Sequence, residues 1–349
     1  MIEDEIKKIF NNAKESVKGD ISYQKDPYHR GITHTNAIYE FCLSHTLGHP
    51  HTKNEFKPIF LASHLHDLAN LYSTNSSHEL KIVCEMIKVE KKHNLLSPLN
   101  KTIFTYYGEQ QIKINSLGLK KVQKAVQDLL NNIFIEIKTK NRSEIWDLTK
   151  ILILATQFGY METLKHEQLE VRKKLMSQLI YNDNEQKSII HNILDPQEIR
   201  SLIKDHLFDQ RLDNYLEHVI YDKELTKLVN QYKRLCKVDH RSIIKQILLI
   251  RSADLAALFD IKLYDKIEDD LILSFNHQKA VDVDHKITFY KLSSEWLKAQ
   301  LELTLDLYIF HNRLILAGYP ILQDKSIQGL ESMILELTSR LWKSQHLES

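Results

Sequence analysis

An all-α architecture is predicted by three features of this chain. Glycine and proline are scarce, 8 and 6 in 349 residues, about a third of the ordinary share, so few positions suit tight turns. Apolar residues recur with helical spacing along most of the sequence, and no convincing alternating run of the kind a half-buried strand needs is found. The 43% hydrophobic content lies in the globular range, and the length suffices to bury a sizeable core. The expected fold is a bundle of many helices, read as a single domain over residues 1–349 with residues 1–26 as a peripheral segment.

In chain order, a helix beginning near His34 comes first. Helical periodicity then covers Pro58 to about Tyr72, Glu79 to about His93, Leu119 to Ile135, Arg142 to Phe158, Met161 to Leu179, Pro196 to Leu207, Glu224 to Leu235, Arg241 to Phe259 and Thr288 to Leu316. Pro58 fixes a helical φ at a first turn, and Asp195-Pro196 pairs a capping side chain with the same device. Loops rich in Ser, Asn and Asp fall at Ser73 to Ser77, Asn182 to Glu185 and Asp265 to His285. None is long or biased enough to serve as an interdomain linker.

Charge excludes some classes of function. Lys plus Arg number 47 and Asp plus Glu 46, leaving +1, so nothing in bulk draws the chain to nucleic acid or an anionic membrane. No run approaches the ~20 apolar residues that span a bilayer, and MIEDEIKKIF lacks an apolar signal core. Cys42, Cys84 and Cys236 are an odd number at wide spacing, which fits neither a zinc-ligand pair nor a disulfide framework. A soluble protein of a reducing, cytoplasmic compartment is expected.

Chemistry concentrates in two short stretches. In FKPIFLASHLHDLANLY, His66 and Asp67 sit among the core-like Phe60, Leu61, Leu65 and Leu68. An ionised carboxylate there is costly unless it meets a metal or a cation. His34 of HRGITHT supplies a second imidazole, and Asp254 of LLIRSADLAALF another carboxylate in an apolar helix. Two His and two Asp from three distant segments form a reasonable N/O ligand set for a divalent cation.

His34, then His66-Asp67, then Asp254 inside an Ala-Asp-Leu run resembles the HD superfamily of metal-dependent phosphohydrolases. The resemblance extends to the 3′,5′-cyclic nucleotide phosphodiesterases. PYHRGITHTNAI is similar to their Tyr-His-Asn…His-Ala segment, LASHLHDLAN to Ala-Leu-His-Asp, ILATQF to Leu-Ala-Thr-Asp and IRSADL to His-Cys-Ala-Asp-Leu, in the family's order over about residues 27–259. Three departures stand out. His29 and His34 are separated by four residues where the family has three, Asn70 stands where those enzymes place a further His, and Gln157 replaces an Asp. The resemblance therefore does not carry a second metal. Residues Ala62 to Glu79 also align without a gap with the phosphodiesterase domain of SidE-type bacterial effectors, which acts on phosphoribosyl-linked ubiquitin without needing a metal; EWLKAQ and IFHNRLILAGY resemble its later pattern. That domain's catalytic His, Glu and His correspond to Arg30 (or His29, slipped by one), Asp67 and Arg251. The retained His-Asp ligands point back toward a metal.

The implied fold is an HD/phosphodiesterase-like bundle, and the implied activity is hydrolysis of a nucleotide or nucleotide-like phosphoester. His34, His66, Asp67 and Asp254 are the expected ligands of a divalent ion, with Mn²⁺, Mg²⁺, Zn²⁺ and Fe²⁺ not distinguished. His29 is the expected proton donor to the leaving oxygen. Arg251, one turn before Asp254, is the expected phosphate clamp. Arg30, His78, Glu79 and Gln300 are expected to bind substrate, while Trp296 packs and His64, across the helix from His66, is not a ligand. The partner is a phosphoester small molecule or, in the effector-like alternative, a phosphoribosyl-modified protein in a host cytosol. A non-catalytic binding protein on the same scaffold is the third reading.

Overall fold

The computed structural model describes residues 2–16, 32–45, 57–72, 78–108, 117–156, 166–180, 223–238, 240–257 and 324–346, with isolated positions at 195, 197, 200–201 and between 294 and 312. Among the described residues there are eleven continuous α-helices and no strand: α1 (Ile2–Ser16), α2 (Ile32–His45), α3 (Pro58–Leu65), α4 (His78–Lys92), α5 (Leu99–Tyr107), α6 (Leu117–Glu136), α7 (Arg142–Ala155), α8 (His166–Ile180), α9 (Lys223–Cys236), α10 (His240–Ala257) and α11 (Asp324–His346). The fold is all-α. No helix among the described residues is long and apolar enough to cross a membrane.

The chain forms two compact units. Unit 1 takes residues 1–159, 222–258 and 265–277; unit 2 takes 160–221, 259–264 and 278–349. In unit 1, α7 is the central helix: Trp146 is fully buried and every residue from Trp146 to Ala155 is covered. It packs on α3, α4, α9 and α10. Helix α6 buries Val122, Val126, Leu129, Leu130 and Ile133 along one stripe and exposes Lys121 and Lys124, while Gln123 and Gln127 donate to the buried Glu85 carboxylate of α4 at 2.8 and 2.6 Å. Helix α1 lays the buried Ile6, Ile9, Phe10 and Ala13 against α6. Helix α3 is buried from Ile59 to Leu65 and lies against α2, α7 and α10, while α2 and α10 pack along one another. Burying a side chain such as Leu61 or Phe60 is worth about 1.5–3 kcal/mol, so the segments bearing His34, His66-Asp67 and Asp254 are held together by core contacts. In unit 2, α8 packs on α11.

Two starts read from the sequence are seen. Pro58 occupies the first turn of α3, and the Asp195 carboxylate accepts the Gln197 N–H at 2.6 Å, the capping bond its position implies. The helix expected from Pro58 to about Tyr72 is shorter. The α-helix ends at Leu65, residues 66–67 form a turn, and Leu68–Leu71 is a 3-10 helix. Polar side chains cause the switch: the Ser63 hydroxyl donates to the Phe60 carbonyl at 2.8 Å, and His66 Nδ1 engages the Ser63 carbonyl at 3.0 Å, which a continued α-helix would offer to the Asp67 N–H. The ladder then tightens, with the Asn70 N–H donating to the Asp67 carbonyl at 2.9 Å.

Candidate metal centre

The turn after α3 presents His66 and Asp67 toward α2 and α10. His34 Nε2, from the first turn of α2, lies 3.3 Å from Asp67 Oδ2 and 3.2 Å from Asp254 Oδ1. His66 Nε2 lies 3.3 Å from the same Asp67 oxygen and 3.9 Å from Asp254 Oδ1. The two imidazoles meet edge to face with centroids 5.7 Å apart. All four residues are buried, none more than 6% exposed. The four side chains that the sequence assigns as ligands therefore come together in unit 1.

His34, His66 and Asp67 form a buried group able to hold a metal ion, their ligand atoms all within 4.8 Å of one another. Two features of the site fit that use. Because a carbonyl only accepts, His66 Nδ1 must carry the proton it donates to Ser63, and in the neutral ring Nε2 is left with a lone pair facing carboxylate oxygens. Asp67 Oδ2, 3.3 Å from that nitrogen, is not aligned with it as a well-formed hydrogen bond. A backbone carbonyl that fixes one ring nitrogen so that the other can ligate is the usual support of a metal-bound histidine. Second, ligands about 2.1 Å from a tetrahedral ion stand about 3.4 Å apart, close to the observed 3.2–3.3 Å edges.

Electrostatics point the same way. Burial alone would push the His66 imidazole down, but the charge of Asp67, with Asp254 and Glu79 adding to it, outweighs burial and raises it to about 9. Burial would likewise raise the Asp67 carboxyl; the charge of His66 and the hydrogen bond from His78 hold it well below the usual carboxylate range. The pocket favours a positive charge at its centre.

The other expected site residues divide. His78, at the start of α4, places Nε2 2.8 Å from Asp67 Oδ1 and 3.2 Å from Glu79 Oε1, with its side chain 22% exposed, the most open of the cluster. Glu79 is buried, and burial raises its carboxyl. Arg251 is buried, and its Nε donates to the Ala155 carbonyl at 2.8 Å, capping the end of α7. His64 is buried and stacks on Tyr39 at 4.3 Å. His29, Arg30 and Gln300 lie outside the described residues, as do Gln157 and Trp296.

Sequence reasoning named Asn70 as a departure from the resembled family and His78 as a substrate residue, but expected neither to contact Asp67. Asn70 Nδ2 donates to Asp67 Oδ1 at 3.2 Å; its i,i+3 spacing from Asp67 is the signal that could have found it. The His78 contact crosses residues 73–77 and leaves no such trace. Compared with known proteins, the chain matches no family model, no curated protein and no solved structure.

Proposed function

We propose that this chain is a metal-dependent phosphohydrolase acting on a phosphoester of a nucleotide or nucleotide-like group. The observation that carries the reading is the convergence of His34, His66, Asp67 and Asp254 from three helical segments into one buried pocket in which His66 Nε2 faces two carboxylates. His34, His66, Asp67 and Asp254 would hold the ion. When bound, a divalent cation lowers the pKa of water toward neutrality and neutralises charge on phosphoryl oxygens. Asp67 and Asp254 supply the compensating negative charge, and His78, the most open member, is the one a substrate would reach first. His29 remains the sequence-based donor to the leaving oxygen, and Arg251 the sequence-based phosphate clamp.

One observation favours a second reading, a cation-binding scaffold without turnover: Arg251 Nε is committed to the Ala155 carbonyl. Protein purified without chelator and assayed for metal tests the shared part of both readings. A screen of nucleotide phosphomonoesters, cyclic and linear phosphodiesters and phosphoribosyl-ubiquitin, with added Mn²⁺, Mg²⁺, Zn²⁺ or Fe²⁺, then separates them. Metal-dependent release of product supports the hydrolase; stoichiometric metal with no turnover on any class supports the scaffold.

A further inference from the structure

The two oxygens of Asp67 have different surroundings. Oδ2 faces His34 and His66 at 3.3 Å each. Oδ1 has His78 Nε2 at 2.8 Å and Asn70 Nδ2 at 3.2 Å. Both neighbours of Oδ1 are donors. The Asn70 amide donates by nature, and His78 Nε2, placed between the Asp67 and Glu79 carboxylates, must carry a proton. A carboxylate oxygen has two lone-pair positions, so Oδ1 is fully used. Asn70 is itself fixed, because its N–H donates to the Asp67 carbonyl at 2.9 Å.

Resting on the metal-centre reading above, we propose that His78 and Asn70 are positioning residues that restrict Asp67 to a single-oxygen ligand and the centre to one ion. With Oδ1 occupied, Asp67 can neither bridge to a second cation nor grip one ion with both oxygens. Calcium prefers six to eight oxygens and bidentate carboxylates. Two imidazoles with single-oxygen carboxylates instead suit Zn²⁺, Mn²⁺ or Fe²⁺. The clamp thus selects a small, nitrogen-tolerant cation against Ca²⁺.

The test is calorimetric titration of the chelator-stripped full chain with Zn²⁺, Mn²⁺ and Ca²⁺, with circular dichroism as a check on folding. The wild-type chain should take one Zn²⁺ or Mn²⁺. His78→Ala should bind that ion about 10- to 100-fold more weakly, the usual scale for losing such an outer partner. His78→Gln keeps an N–H donor in place of Nε2 and should stay within about threefold of wild type by the same reasoning. Asn70→Ala, which changes a different part of the fold, should narrow the preference for Mn²⁺ over Ca²⁺. Two ions on the wild-type chain, unchanged affinity in both folded His78→Ala and Asn70→Ala, or His78→Gln as weak as His78→Ala would each overturn the clamp while leaving the metal centre standing. No ion on the wild-type chain would overturn the metal centre and the clamp together.

Discussion

Lys150 and His66 are both buried beside two carboxylates in unit 1, and they meet them differently. The Lys150 ammonium donates to Glu90 Oε1 at 2.8 Å and Asn100 Oδ1 at 2.7 Å, and forms an ion pair with Asp147 Oδ1 at 2.8 Å. The second oxygens are also met, Glu90 Oε2 by Asn100 Nδ2 at 2.5 Å and Asp147 Oδ2 by the Ser97 hydroxyl at 2.6 Å. This cluster ties α4, α5 and α7 together around one ammonium. His66 Nε2 has no aligned partner although two carboxylate oxygens approach it. A buried cluster built around an ammonium reads as structure, and one in which two imidazoles meet two carboxylates reads as a place for an ion.

The contrast breaks first at Lys150. Lys150→Met leaves Glu90 and Asp147 buried without their cation, and should cost about 3–5 kcal/mol of stability in urea unfolding. Metal uptake by whatever protein remains folded should be unchanged; a loss below 1 kcal/mol would show that Lys150 does not hold the two carboxylates as described.

Asp67→Ala acts on the other cluster. It removes a ligand and the charge that balances an ion, so the fold should survive while the metal-induced stabilisation disappears. For the wild-type chain that stabilisation is about 2.7 kcal/mol at a hundredfold excess over Kd. Thermal unfolding with and without Zn²⁺ reads it directly, and an undiminished shift in the variant would make Asp67 structural.

A further buried carboxylate, Asp306 of unit 2, combines features of both clusters. Asp306 Oδ2 receives Arg172 at 2.8 Å, yet Oδ1 has no hydrogen-bond partner among the described residues. Burial outweighs Arg172 and pushes its carboxyl up to about 7. A folded-state value above the unfolded ~3.9 means that the contribution to stability is fully present below pH ~4 and is lost as pH rises through 7. Wild type minus Asp306→Asn should therefore lose on the order of 2 kcal/mol of relative stability between pH 5 and pH 8. A difference flat in pH would show that Arg172 keeps Asp306 ionised throughout.

Arg251 gives the smallest effect. Arg251→Met removes the charged donor to Ala155 and should cost about 1.5–2 kcal/mol with metal content unchanged. Loss of the ion in this variant would instead tie Arg251 to the centre itself.

Much of this was legible in the sequence because it rests on local pattern. The stripes of α4, α6, α7, α9 and α10 are visible as periodicity, and each of these helices begins within about two residues of its expected start. Helix α5 was not expected, since only Leu99, Asn100 and Ile103 of its nine residues are buried, too short a stripe to count. Helix α11 was missed despite its buried Leu330, Met333, Ile334, Leu337 and Leu341, a spacing that periodicity does reveal. The break after Leu65 was invisible because no Gly or Pro marks it; side-chain bonds from Ser63 and His66 to backbone carbonyls produce it. Among the site residues, His34, His66, Asp67 and Asp254 could be picked out as ionisable groups in apolar helices. The Lys150 network could not, because its members Glu90, Asn100, Asp147 and Lys150 come from three helices and their meeting leaves no local spacing pattern.

The most direct measurement is anomalous diffraction from crystals of the full chain grown with Zn²⁺ or Mn²⁺. The account predicts one strong peak in unit 1 at roughly 2.0–2.2 Å from His34 Nε2, His66 Nε2 and Asp67 Oδ2, absent from crystals of Asp67→Ala. A strong peak elsewhere with none between His34 and His66, or no peak at saturating metal, would contradict it.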